Sequence, residues 1–166
     1  MAGMFLRRTI AIRAGGWSMA VCLALAAHDT PAQEIVLTAS RPIDFGRFIA
    51  RSGGTITVSP SGARSSTGAV LLLNSPSAGP AVLNVGKSTN GITSKSVAIT
   101  LPPNGSISMS SGSSSMPLSA FVTSPATILT VPDGGLTLSV GATMTVAANQ
   151  PRGTYTGSIP LIVNFQ

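Results

Sequence analysis

The feature that most constrains this chain is a run of short strand signals, mostly eight to fourteen residues apart, with a turn residue closing almost every interval. They fall at 35–37, 43–49, 55–59, 69–73, 81–85, 96–101, 106–109, 118–123, 127–131, 136–140, 143–147 and 154–165. Beyond Ala32, no window of a dozen residues keeps an apolar period of 3.6 without a Gly or Pro interrupting it. Strands without helices exclude a βαβ arrangement and leave an antiparallel sandwich. The last segment alternates most cleanly. Tyr155, Gly157, Ile159, Leu161, Val163 and Phe165 share one face, and Thr156, Ser158, Pro160, Ile162 and Asn164 take the other. That is the signature of a half-buried antiparallel strand. Pro160 cannot donate to a ladder, so this strand is expected at an edge or a bulge.

The turns have their own chemistry. Asn90-Gly91 and Pro103-Asn104-Gly105 supply residues that tolerate the left-handed conformation of tight hairpins, and Pro132-Asp133-Gly134-Gly135 reads as a Pro-initiated turn. The serine run 110–115 reads as a flexible surface loop.

The N-terminal end follows a different logic. Arg7, Arg8 and Arg13 precede an apolar stretch from Trp17 to Ala27, and a short polar piece ends Thr30-Pro31-Ala32. Basic, apolar and small residues in that order predict a secretory signal peptide over 1–32, and the apolar run is too short to serve as a membrane anchor. Cleavage is expected after Ala32, with Ala26 and Ala27 as other candidate ends, and Arg7-Arg8 leaves both general and twin-arginine export open. Cys22 sits mid-way in the apolar run after Val21, where a lipidation signal requires a small residue. The domain is then 33–166, of a size to hold one core. Trp17, Cys22 and His28 leave with the leader, so a chain in an oxidising compartment has no disulfide.

Little chemistry survives that cut. Charged residues are 8% of the sequence, with 10 Lys+Arg against 4 Asp+Glu. Without His or Cys, the Ser-His and Cys-His nucleophilic pairs are impossible. The Ser-x-x-Lys pattern fails because Asn84 and Ile92 stand three residues before Lys87 and Lys95. A glycosidase pair would have to come from Glu34, Asp44 and Asp133, acids whose places beside turns and strand starts suit solvation better. Gly86-Lys87-Ser88 resembles the end of a phosphate loop, but Ala81 stands where its first Gly belongs. Zinc and copper have no ligand set, and calcium would need clustered carboxylates. No catalysis, cofactor or metal is expected. Arg41, Arg47, Arg51 and Arg64 interleave only with Phe45 and Phe48, which reads as a modest positive face, with anionic polysaccharide as the weaker reading and no nucleic-acid role.

Three stretches carry a family likeness. They are Ile43-Asp44-Phe45-Gly46, then Thr57-Val58-Ser59-Pro60-Ser61-Gly62, then Val140–Val146 followed by Asn149-Gln150-Pro151-Arg152-Gly153-Thr154-Tyr155-Thr156-Gly157 and the ending Asn164-Phe165-Gln166. In this order the chain resembles the bacterial secreted family known as domain of unknown function 4402. The resemblance implies an all-β, immunoglobulin-like sandwich related to pilus subunits. The ending is also similar to chaperone–usher pilins, with Phe165 penultimate, Gly153 fourteenth from the end, and Tyr155, Ile159, Leu161 and Val163 in phase. That similarity implies a periplasmic chaperone pairing with the last strand, and an usher. Many pilins have a disulfide that is missing here.

Two functions are therefore expected to compete. One is a non-enzymatic structural subunit of a fimbria-like surface assembly. The other is a monomeric binding module for polysaccharide or another surface ligand, which would want exposed aromatics from the few present: Phe45, Phe48, Phe121, Tyr155 and Phe165. Glu34–Ala39 discriminates between them. Ile35, Leu37 and Ala39 alternate, so this segment either completes a neighbouring subunit by strand addition or folds back as the domain's own first strand.

Overall fold

The computed structural model describes residues 35–87, 96–128 and 130–165, with Lys87 and Phe165 described by their backbone. The expected leader 1–32, Glu34, the turn expected at Asn90-Gly91 and Lys95 lie outside the described residues. Those described belong to one compact unit, Pro31–Gln166.

Nine strands and no helix make up the described residues: β1 (Ile35–Arg41), β2 (Phe48–Val58), β3 (Arg64–Leu72), β4 (Ala81–Lys87), β5 (Val97–Thr100), β6 (Ile107–Ser111), β7 (Ser114–Ser124), β8 (Leu136–Val146) and β9 (Ile162–Phe165). Every pairing is antiparallel. The all-β expectation therefore holds.

Strand β8 organises the larger, seven-stranded sheet. Its first half pairs with β4 and its second half with β2, while β7 runs along its other side. β1 closes one end beyond β4, β3 the other end beyond β2, and β6 extends β7. Leu138, Val140, Ala142, Met144 and Val146 all point from β8 to the same buried face. The first two join Val85, Val97, Ile128 and Val131 in one core, and the last three join Phe45, Ile56, Val58, Val70, Met109, Met116 and Leu118 in another.

A second layer covers that face. Tyr155 and Ile159 pack on the core around Met144, and Leu161 and Val163 pack on the core around Leu138. Among the described residues β9 pairs only with β5, in register from Val97–Phe165 to Thr100–Ile162.

Several strand expectations need correction. The segment 154–165 alternates as expected, but only 162–165 is strand, with one isolated bridge between Thr156 and Ser110. The chain is here crossing from β6 to β5, and Pro160 has no N–H to give a ladder. The expected strands 136–140 and 143–147 are one strand, because Val140 and Ala142 both face the core across Gly141. At 43–49 the chain turns before β2, leaving a bridge from Asp44 to Gly79. Among the described residues of 127–131, Ile128 alone bridges, to Val97. The serine run is no loose loop: Ser111 pairs with Ser114 across a two-residue turn, Gly112-Ser113, closing the β6–β7 hairpin.

Candidate functional site

The residues expected to matter for strand exchange sit on the first and last strands. β1 pairs with β4 from Ile35–Lys87 to Ala39–Leu83, with an irregularity before Arg41. Opposed residues in a ladder share a face. Ile35, Leu37 and Ala39 therefore point to the side on which Val85 is fully buried. Only Ile35 reaches the core; Leu37 keeps 37% of its surface exposed, and Ala39 is exposed too. Val36, on the outward side, is 44% exposed.

At the other end, Ile159, Leu161 and Val163 take the inward positions their alternation assigns, and Ile162 is solvent-facing. Ile35, Leu161 and Val163 thus converge on one core, although more than a hundred residues separate them in the chain. Gly153 and Gly157 permit close crossings: a Cβ on Gly153 would lie 2.6 Å from Ser111 Oγ, and one on Gly157 would lie 2.7 Å from the Ser108 carbonyl. The backbone of Phe165 pairs with Val97.

Tyr155 is locked by its hydroxyl. It donates to the Pro151 carbonyl at 2.8 Å and accepts from Gln150 Nε2 at 2.9 Å. A tyrosine whose hydroxyl turns back to the backbone a few residues upstream fixes the approach of the chain to the sheet. The Asn149–Gly157 stretch is thereby explained as a structural corner.

A second junction was not anticipated from the sequence. The Asp44 carboxylate accepts the Gly46 N–H at 2.6 Å, while the backbones of Asp44 and Gly79 exchange hydrogen bonds at 2.8 and 2.9 Å. Arg64 donates to the carbonyls of Leu73 at 2.9 Å and Arg47 at 2.7 Å, tying three loops together. Burial pushes the Arg64 guanidinium down from its ordinary pKa, and the negative charge of Asp44 pulls it back up. Arg41 donates to the Ser77 carbonyl at 2.6 Å. Two of the four arginines read as a charged face are thus partly structural. The signal available was local: an Asp two residues before a Gly is turn chemistry.

Asp44 is committed to its turn, and Asp133 lies beside a shallow concavity of about 330 Å³, lined also by Val36, Thr38, Asn84 and Thr137. Among the described residues, no three His, Cys, Asp or Glu side chains come together.

An antiparallel sheet covered by its own C-terminal segment defines a small all-β domain. The model of a family described as a domain of unknown function (DUF4402) matches residues 35–165, and the chain belongs to that family. No curated protein and no solved structure matches it.

Proposed function

We propose that this chain is a non-enzymatic, secreted structural subunit of a fimbria-like surface assembly. In this reading a leader over 1–32 exports an immunoglobulin-like sandwich of residues 33–166, and copies join by exchanging the first strand. One observation carries it. Leu37 faces the core side beside buried Val85, yet the second layer does not cover it.

Among the described residues, strand β1 pairs along one edge only and is anchored in the core by a single side chain, Ile35. A terminal element held so lightly is the piece two copies exchange at least cost. The open backbone edge of β1, with no charge from Ile35 to Ser40, is also a template for another strand. The last strand supports the reading separately, because β9 has no ladder partner on its second edge among the described residues. A periplasmic chaperone would pair there before an usher receives the subunit.

Deletion of residues 33–39 tests this. A subunit keeps its fold without them, because most of the core lies on other strands, but it no longer forms polymers in gel filtration or negative-stain microscopy. A full-length protein that is strictly monomeric, together with a deletion variant that is unfolded, would overturn the proposal.

A further inference from the structure

At the end of the large sheet opposite β1, the strands β2 and β3 present an unusual outward row. Phe48 and Ala50 pack on the core, whereas Arg47, Ile49 and Arg51 are exposed. Ile49 stands directly opposite Leu71, and the two are 47% and 56% exposed. An aliphatic cross-strand pair is therefore open to solvent, with an exposed arginine two residues to either side of Ile49 in the chain. Neither guanidinium has an ion-pair partner among the described residues, and β2, β3 and β8 contain no Asp or Glu. Asp44, three residues before Arg47, is the nearest acid in the chain, and its carboxylate is turned to the Gly46 N–H. Positive charge flanking bare apolar surface is what an interface between anionic headgroups and acyl chains attracts.

We propose that this face docks on an anionic lipid surface, with Ile49 and Leu71 entering the headgroup region and Arg47 and Arg51 pairing with lipid phosphates. A polysaccharide fits the same charge less well. Sugar rings stack on exposed aromatics, and Phe45, Phe48, Phe121 and Tyr155 are all buried or half-buried. The Arg47–Arg51 row also differs in kind from Arg64, whose guanidinium is spent on backbone carbonyls. The docking is independent of strand exchange, because β1 lies at the other end of the sheet order.

The test places a spin label on the full chain at Leu71→Cys, with Cys22→Ser removing the other thiol. A second label at Ser113→Cys, on the exposed β6–β7 turn, reports general adsorption. With vesicles of phosphatidylcholine and phosphatidylglycerol, the label at 71 becomes accessible to a lipid-soluble relaxation agent and shielded from a water-soluble one. The label at 113 does not change. Each of Arg47→Gln and Arg51→Gln raises the lipid concentration needed for half-immersion by about fivefold. Ile49→Ser weakens immersion as well, and 0.5 M salt reverses it by screening. Vesicles of phosphatidylcholine alone leave both labels in water. A label at 71 that stays water-exposed on anionic vesicles, even if the chain adsorbs through its N-terminal segment, would overturn the proposal. So would immersion indifferent to both arginines, or binding of soluble dextran sulfate at this face without any response to vesicles.

Discussion

At the residue scale, the junction at Gly46 makes the sharpest claim. Gly46 has φ of +69°, and a Cβ there would lie 2.8 Å from Ser75 Cβ and 2.9 Å from Ala78 Cβ. Gly112 has a similar φ of +58°, but nothing within 4 Å of the same position. Gly112→Ala therefore meets only the left-handed backbone cost, about 1 kcal/mol. Gly46→Ala adds the overlap, and its loss should reach about 2–4 kcal/mol. Urea midpoints separate the two, and equal midpoints would contradict the packing account. The corner at Tyr155 is graded in the same way. Tyr155→Phe keeps the ring on the core but removes two hydrogen bonds, a loss of about 1–2 kcal/mol in the same titration.

At the scale of the element, β1 and β3 are the two terminal strands of the sheet order and are not equivalent. The β2–β3 pairing is interrupted by a bulge between Ala50 and Gly54, which twists that edge away from regular pairing. β1 runs regularly from Ile35 to Ala39. A lysine is an edge blocker because it carries its charge to where an added strand would lie. Val36→Lys, at an outward and exposed position, should therefore change stability by less than about 0.5 kcal/mol while abolishing polymers. Polymers that persist in Val36→Lys would show that β1 is not the exchanged element.

For the whole molecule, β8 makes one cooperative unit of two cores. Leu138 and Val140 serve one, and Ala142, Met144 and Val146 serve the other, on a single continuous strand. Neither core can unfold without removing the strand on which the other rests. Leu138→Ala and Met144→Ala should each cost about 2–5 kcal/mol as large-to-small core changes. Both should lower one shared calorimetric transition. Two separate transitions, each moved by only one of the variants, would refute the coupling.

The sequence by itself determined the all-β class, most strand positions and the inward face of the C-terminal segment, because side-chain alternation is a local property with a period of two. It also placed the turns at Pro103–Gly105 and Pro132–Gly135, whose conformations depend on the residues within them. It misjudged segment 154–165, since whether an alternating stretch becomes a strand depends on a neighbour to pair with, and Gly157–Leu161 passes between β6 and β5 instead. The role of Arg64 was equally hidden, because its partners, the carbonyls of Arg47 and Leu73, are 17 and 9 residues away. The exposed pair Ile49–Leu71 was out of reach for the same reason. Each residue looks like a core aliphatic until the register of β2 and β3 sets them opposite one another on the outer face. Patterning within one strand settles which side chains share a face; only the pairing of distant strands decides which face is covered.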